Sequence, residues 1–220
     1  MKVNEIQQQM RKRWDEKGWN YDLSSAHGIH NQDEKKQWAE QFKQCQDGAL
    51  EVLDVGTGTG FVALLAAELG HKVTAIDWSN TMLTQAKAKA KNENYNIHFI
   101  EGITESLPFE NNRFDVVTAR HVLWTLSDPD QALAEWYRVL TPGGKVCADY
   151  SPRNEEHKSH HYIDEVENRL PLNKNISAEI IKGLFSKAGF IDVQASMKNK
   201  GSEDHYHRIT YMLLGIKPLN

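Results

Sequence analysis

The sequence predicts an α/β protein with a doubly wound, mainly parallel sheet of seven strands, helices on both faces and a helical cap at the N-terminus. Short β-branched runs alternate with helical stretches from Glu51 onward, which is typical of repeated βα units. A glycine-rich turn, Gly56 to Gly60, follows the first of these runs directly. The residues before Glu51 are polar and periodic, which indicates amphipathic helices outside the sheet.

Seven short segments are predicted to be strands because they are β-branched and bounded by turn-forming residues. They cover residues 51–55, 72–77, 96–100, 114–119, 144–150, 190–197 and 205–216. The intervening pattern predicts helices over 59–69, 79–91, 129–139 and 177–188. Ser79 and Asp128 are predicted N-caps, and Gly70 is a predicted helix stop.

A chain of 220 residues favours a single domain, here 1–220. We expect a helical cap and lid over 1–48, a core over 49–150, and an insertion followed by the final strands over 151–220. The net charge of −4 gives no indication of a basic surface that would bind nucleic acid. Cys45 and Cys147 match no disulfide or metal-ligand spacing, and no segment resembles a signal peptide or membrane span. A cytoplasmic protein without a membrane partner is expected.

The glycine-rich turn predicts a ligand site. Glycines between a strand and a helix let a ligand approach the backbone and the helix N-terminus. Asp77 ends the second strand, where a carboxylate can accept hydrogen bonds from a ribose. A dinucleotide oxidoreductase uses the same position, but its third glycine would fall at Phe61, so the turn reads GxGxG instead. The alternative without a ligand is a turn that only makes a tight loop.

Three further segments accompany the turn and Asp77: Gly102–Phe109, Arg113–Val117 and Trp136–Lys145. In this order they resemble the class I S-adenosylmethionine-dependent methyltransferases of the Rossmann-like fold, particularly small-molecule enzymes similar to the menaquinone and ubiquinone methyltransferase group. The resemblance covers about residues 50 to 150. It implies methyl transfer from S-adenosylmethionine to a small-molecule acceptor, through an oxygen, nitrogen, sulfur or carbon atom, with release of S-adenosylhomocysteine.

The resemblance and the lid together give a set of expected cofactor-binding residues: Tyr21, His27, Asp54, Gly56, Thr57, Gly58, Asp77, Trp78, Met82, Gly102, Ile103, Thr104 and Arg120. Asp54 would support the turn, and Asp77 would bind the ribose. Trp78 and Met82 would either line the adenine or pack in the core. Related enzymes commonly carry an acidic residue where this chain has Ile103, so the polar adenine contact would come from backbone groups at Ile103 and Thr104, or be lost.

The acceptor side is predicted from fewer signals. Arg120 would reach the cofactor carboxylate or a substrate anion, unless it is a solvated loop charge. Candidates for a general base are His121, His157, His160 and His161. The last three would share one helix face, where a metal site is the alternative to a general base or a solvent-facing surface; we expect no metal. His121 and Trp124 are expected either to line the pocket or to pack.

Other function classes stay open at this point. A non-catalytic S-adenosylmethionine-binding module would bind the cofactor without turnover, and an NAD-dependent oxidoreductase is the less favoured alternative. A nucleic-acid or protein methyltransferase is disfavoured by the acidic balance and by the absence of its usual motif after the fourth strand, where the chain reads Ala119-Arg-His-Val. A small-molecule partner is expected, and the chain is expected to be a monomer or a homodimer.

Overall fold

The computed structural model describes residues 3–23, 32–45, 48–152, 162, 164–173, 175–197 and 210–219. The N-terminal part contains helix α1 (Val3–Lys17), a 3₁₀ helix (Gly18–Leu23) and helix α2 (Gln32–Lys43). The alternating part follows as β1 (Glu51–Val55), α3 (Phe61–Glu68), β2 (Lys72–Asp77), α4 (Asn80–Asn92), β3 (Ile97–Glu101), β4 (Phe114–Ala119), α5 (Pro129–Val139) and β5 (Leu140–Tyr150). The chain ends with α6 (Asp164–Glu167), α7 (Ala178–Lys187), β6 (Ile191–Met197) and β7 (Tyr211–Ile216).

The seven strands form one sheet in the order β3-β2-β1-β4-β5-β7-β6. All neighbouring pairs from β3 to β5 are parallel, and β7 runs antiparallel between β5 and β6. The strand order changes direction at β1, so the connections that follow β1 and β4 lie on opposite faces of the sheet. Ligands of doubly wound sheets bind at such a switch point, beyond the carboxyl ends of the strands. The predicted fold class is confirmed.

Local signals in the sequence account for the helix starts. Ser79 accepts a hydrogen bond from the backbone N–H of Met82 at 3.3 Å, and Asp128 accepts one from Gln131 at 3.0 Å. Both were predicted as N-caps. Strand β5 is longer than predicted, because Leu140 already pairs with Phe114 before a register shift in β4. The strand therefore includes Thr141, Pro142 and Gly143, which lie before its predicted start at residue 144.

Side chains alternate between the two faces of the sheet. One face packs Leu53, Val117 and Val146 against α5 and α7, including the fully buried Trp136. The other face packs Val52 and Val116 against α3 and α2. Helix α2 contributes Trp38, which is 0% exposed, and Phe42 to this second cluster. The N-terminal segment was expected to lie outside the core, yet α2 is part of it.

A third apolar cluster lies over the carboxyl edge of the sheet. It joins Ile6 and Met10 of α1 to Tyr162, Val166 and Leu170. Trp14, Trp78 and Trp124 pack against it and are partly buried. This cluster attaches α1 to the segment that follows β5, and so it roofs the region where a ligand of the switch point would lie. Among the described residues, no helix is both long and apolar enough to cross a bilayer.

Candidate functional site

The glycine-rich turn connects β1 to α3 at the carboxyl edge of the sheet. Gly56 and Gly58 both adopt positive φ, at 59° and 54°, a conformation that side-chain-bearing residues rarely adopt. A Cβ on Gly56 would lie 2.5 Å from Cγ2 of Val122, whereas a Cβ on Gly58 would meet no atom within 4 Å. Packing therefore requires glycine at position 56, and open space borders the backbone at position 58.

A small, partly open cavity lies beside this turn. Its lining combines the turn, the start of α3, the 3₁₀ helix and the end of β4: Tyr21, Asp54, Gly56, Thr57, Gly58, Thr59, Phe61, Val62 and Arg120. Tyr21 and Arg120 are distant from the turn in sequence, and the fold brings both predicted residues to it.

Asp54 is buried at the end of β1 and is satisfied within the core. It accepts hydrogen bonds from the hydroxyls of Thr57 and Thr118, each at 2.6 Å. Burial raises the pKa of this carboxyl to about 6, although these hydrogen bonds and that of the Ala63 backbone lower it in part. Asp54 thus ties the turn to β4, in agreement with a role in supporting the turn.

Asp77 ends β2 beside the same turn. Its Oδ2 accepts from the backbone N–H of Gly58 at 2.8 Å, and its Oδ1 accepts from that of Ser79 at 2.9 Å. Burial raises the pKa of Asp77 to about 6, partly offset by these backbone hydrogen bonds. A buried carboxylate that already meets the turn lies where it can accept further hydrogen bonds from a ligand against Gly58.

The predicted adenine side lies on the far side of Asp77. Met82 is buried, and its Sδ lies 3.2 Å from the position of a Cβ on Gly18, so the 3₁₀ helix rests on it. Trp78 packs partly buried against the third apolar cluster. The backbone N–H of Gly102 donates to the carbonyl of Asp77 at 3.0 Å, which places Ile103 beside β2.

Thr104 has a structural partner of its own. Its hydroxyl accepts a hydrogen bond of 2.6 Å from Nε1 of the buried Trp136. The following loop is fixed to α5 as well, because Arg138 donates to the carbonyls of Leu107 and Phe109. The Leu-Pro-Phe segment is therefore a rigid edge beside the predicted adenine site.

Carboxylates of the N-terminal segment bind to residues of the glycine-rich turn and of helix α4 and its N-cap. Asp22 accepts from the hydroxyl of Thr59 at 2.7 Å and pairs with Lys89. Asp15 accepts from the hydroxyl of Ser79 at 2.7 Å. The sequence predicted a lid loop from Tyr21 onward, whereas Tyr21 lies in the 3₁₀ helix and lines the cavity. Burial raises the pKa of its phenol to about 12, so the phenol stays protonated.

Arg120 follows β4 and is held by two neighbours. Its Nε and Nη2 donate to the two carboxylate oxygens of Glu34 at 2.9 Å each. Its guanidinium carbon lies 4.1 Å from the ring centroid of Phe61. The side chains of Arg120 and Glu34 are only 7% and 12% exposed, so the alternative of a solvated loop charge is wrong.

His121 is the next residue and adopts a φ of 59°, which is uncommon outside glycine and asparagine. Its backbone N–H donates to Oδ1 of Asp149 at 2.5 Å, and its Nδ1 lies 3.3 Å from Oδ2 of the same carboxylate. Asp149 is 2% exposed near the end of β5. A buried carboxylate therefore fixes the backbone and the ring of His121, which is the arrangement of an oriented general base.

Glu34, His121 and Asp149 each offer a ligand atom within 4.8 Å of the other two. Such a group can hold a metal ion in some proteins. Here both oxygens of Glu34 already bind Arg120. A guanidinium in direct contact disfavours a second cation at the same carboxylate.

Four aromatic rings meet next to this polar group. Trp14 lies with its ring centroid 5.8 Å from that of Tyr21, 6.3 Å from that of Trp124 and 6.4 Å from that of Tyr162, each edge to face. Nε1 of Trp14 donates to the hydroxyl of Tyr162 at 2.6 Å. We call Trp14, Tyr21, Trp124 and Tyr162 the aromatic roof. Its residues come from three separate parts of the chain, and together they cover the site.

Some predicted site residues lie outside the described residues: His27 of the lid and the three histidines His157, His160 and His161. Sequence reasoning also missed residues that the structure places at the site. Asp149 carries the same signal as Asp77, an acid near the end of a parallel strand, and could have been found. Glu34 and Asp22 carry no such signal, because they stand among many similar charges.

Comparison with known proteins links this geometry to a family. Residues 53–148 match the family model described as a methyltransferase domain. A demethylmenaquinone methyltransferase of Chlorobaculum tepidum is 38% identical over 143 residues, which are 64% of this chain and 54% of that protein. A ubiquinone/menaquinone biosynthesis C-methyltransferase of Desulfotalea psychrophila is 34% identical over 146 residues, 65% of this chain and 58% of that protein. The chain thus spans little more than half the length of these relatives.

Solved structures share the fold. A phosphoethanolamine N-methyltransferase of Haemonchus contortus superposes with a TM-score of 0.74 at 19% identity, over 95% of this chain and 60% of that chain. The [4+2]-cyclase SpnF superposes with a TM-score of 0.68 at 23% identity, over 84% and 81%. At this identity the likeness concerns the fold alone, and one of the two proteins is named for a reaction other than methylation. The resemblance predicted from the sequence motifs is confirmed by the family match and the relatives.

Proposed function

We propose that this chain, whose residues 53–148 match a methyltransferase domain, is a class I enzyme that transfers a methyl group from S-adenosylmethionine to a small-molecule acceptor and releases S-adenosylhomocysteine. One observation carries the proposal. The cavity at the switch point is bounded by open glycine backbone at Gly58, and the buried carboxylate of Asp77 lies beside it. A nucleoside with an amino-acid extension fits such a site, because ribose hydroxyls need acceptors and its charged end needs ionic partners.

The donor side of the site has residues suited to each part of S-adenosylmethionine. Asp77 accepts from the ribose hydroxyls, and the backbone from Gly56 to Gly58 passes the methionine part, with Asp54 holding that turn in place. Arg120 pairs with the methionine carboxylate. The adenine lies toward Met82, Trp78 and the rigid segment Gly102–Thr104. S-adenosylmethionine supplies an electrophilic methyl group on a positively charged sulfur, which suits a site rich in buried carboxylates.

The acceptor side is proposed to lie between His121 and the aromatic roof. Asp149 holds the Nδ1 edge of the imidazole, so Nε2 is the atom that takes a proton from the acceptor. The carboxylate of Asp149 then stabilises the imidazolium that results. The roof excludes water and gives a flat apolar acceptor aromatic partners. Positioning and dehydration of this kind account for most of the rate in a direct transfer.

The relatives narrow the choice of acceptor to test first. Their names concern a demethylated quinone precursor and methylation at carbon. A hydroxylated aromatic ring agrees with the aromatic roof and with a base at His121, since removal of a phenolic proton activates the ring. We also propose a cytoplasmic location, in line with the two free cysteines, and a monomer or homodimer as the working form.

Binding of S-adenosylhomocysteine, measured by titration calorimetry, tests the donor side. The wild-type chain is expected to bind it, and NAD is not expected to bind. Asp77→Ala is expected to lose at least tenfold in affinity, because a lost hydrogen bond to a charged group is worth about 1.5–3 kcal/mol. Asp130→Ala is the matched control, since Asp130 pairs with Lys187 on the surface.

Absence of binding by the wild-type chain contradicts the proposal. A melting curve of Asp77→Ala separates lost binding from lost folding, because Asp77 also fixes Gly58 and Ser79. Turnover of labelled S-adenosylmethionine with hydroxylated aromatic acceptors then separates an enzyme from a binding module: His121→Ala is expected to lower turnover while it leaves the affinity for S-adenosylhomocysteine within about twofold.

A further inference from the structure

We propose that Glu34 is a positioning residue for the donor site: it fixes Arg120 so that the remaining N–H groups of the guanidinium meet the carboxylate of the cofactor. The inference rests on the proposed function, since it concerns the amino-acid end of S-adenosylmethionine. This role does not follow from the glycine turn or from Asp77, because Glu34 belongs to the N-terminal helix α2.

The geometry divides the guanidinium into a used edge and an open edge. Glu34 occupies Nε and one side of Nη2, at 2.9 Å each. Phe61 covers one face of the group at 4.1 Å. A guanidinium has five N–H donors, and among the described residues only Glu34 accepts from it, so both donors of Nη1 and the second donor of Nη2 can meet another acceptor. Arg120 lines the cavity beside the turn, so a ligand in that cavity can use them.

Electrostatics explain why the guanidinium can be kept there. Burial acts to lower the pKa of Arg120, but the adjacent carboxylate of Glu34 outweighs it and holds that pKa above its ordinary value. With Glu34 the buried cation has an anionic partner in direct contact before the cofactor binds, and the carboxylate of Asp149 adds a smaller electrostatic stabilisation. Without Glu34 the cation would lose its directly bonded carboxylate at a side chain only 7% exposed, and it would turn toward water.

Helix α2 carries this function because its other residues fix its position. Trp38 and Phe42 of the same helix are buried in the apolar cluster that also contains Phe61, the residue that covers Arg120. The carboxylate of Glu34 is thus held by the core, in contrast to a carboxylate on a mobile loop. Helix α2 therefore contributes to cofactor binding without touching the cofactor, because Glu34 acts through Arg120.

Two ligands separate this role from a general structural one. S-adenosylhomocysteine has the amino-acid carboxylate, and 5′-methylthioadenosine has the same adenosine and sulfur without it. For Glu34→Ala we expect the affinity for S-adenosylhomocysteine to fall about tenfold to a hundredfold, while the affinity for 5′-methylthioadenosine stays within twofold. Glu34→Gln keeps one oxygen for Arg120 and is expected to lose less than Glu34→Ala.

The matched control is Glu40→Gln on the same helix. Glu40 pairs with Lys43 at the surface, and this variant is expected to bind both ligands as the wild-type chain does. Equal losses for both ligands in Glu34→Ala would overturn the inference, and so would a gain in affinity for S-adenosylhomocysteine, which would mean that Glu34 competes with the cofactor. Failure of the wild-type chain to bind S-adenosylhomocysteine would contradict the proposed function instead.

Discussion

The donor side and the cap side of the site hold their polar groups in different ways. On the donor side, Asp54 and Asp77 are bonded within the sheet and its own turns. On the cap side, carboxylates reach across the site from the N-terminal segment: Glu34 to Arg120 and Asp22 to Thr59. The carboxylates of Asp54 and Asp77 are thus held without the cap, whereas the carboxylates of the cap depend on the core for their partners.

This difference indicates two separate roles: cofactor binding on the donor side and acceptor binding beneath the aromatic roof. A donor site made inside the sheet is rigid and suits the same cofactor in many proteins. The aromatic roof, by contrast, can vary with the acceptor, because its residues are not needed to form the sheet. We therefore expect changes on the donor side to affect cofactor binding, and changes in the roof to affect the acceptor.

The largest expected effect comes from the glycine turn. Gly56→Ala would force a methyl group against Val122, at 2.5 Å, in a positive-φ conformation. Denaturant unfolding should show a loss of about 2–5 kcal/mol. Gly58→Ala should cost only about 1–2 kcal/mol, since open space surrounds that position, yet it should weaken S-adenosylhomocysteine binding at least tenfold. Unchanged binding in Gly58→Ala would mean that the cofactor does not pass this backbone.

The next largest effect is expected in the aromatic roof. Trp14→Ala removes the hydrogen bond to Tyr162 and the edge contacts of the ring. The unfolding free energy should fall by about 2–4 kcal/mol, and the KM for the acceptor should rise more than the KM for the donor. Trp19→Ala is the control, because Trp19 is 60% exposed and should change stability by no more than about 0.5 kcal/mol. An equal rise in the KM for the donor and the KM for the acceptor would mean that the aromatic roof covers both parts of the site.

A smaller effect concerns pH on the donor side. Burial raises the pKa of Asp77 to about 6, so the carboxylate that accepts from the ribose is lost as the pH falls through that value. Affinity for S-adenosylhomocysteine should fall by up to about tenfold for each pH unit below it. Calorimetry from pH 8 to pH 5 measures this, and Asp77→Asn should flatten the profile.

The contribution of Asp77 to folding stability changes with pH in the opposite direction to its contribution to ligand affinity. The folded-state pKa of Asp77 lies above the ordinary value of 3.8, so protonation favours the folded state as the pH falls from about 6 toward that value. The loss of affinity should therefore occur without a loss of the Asp77 contribution to stability. Unfolding that parallels the loss of affinity would assign the pH effect to the fold.

The comparison also separates what the sequence could predict from what it could not. Strands β1, β2 and β4 and the caps at Ser79 and Asp128 were predicted because their signals are local. Contacts of the cap were not, because Arg120 and Glu34 lie 86 positions apart, and nothing local distinguishes Glu34 from its charged neighbours. The extra length of β5 was hidden by Pro142 and the glycines after it, which indicate a turn until the pairing of Leu140 with Phe114 is known.

A crystal structure with S-adenosylhomocysteine bound is the most direct test of the account. We expect the ribose hydroxyls within hydrogen-bond distance of Asp77, the carboxylate on the open edge of Arg120, and the sulfur facing His121 and the aromatic roof. A ligand bound away from the glycine turn, or a sulfur that faces away from the roof, would contradict the division into a donor side and a cap side.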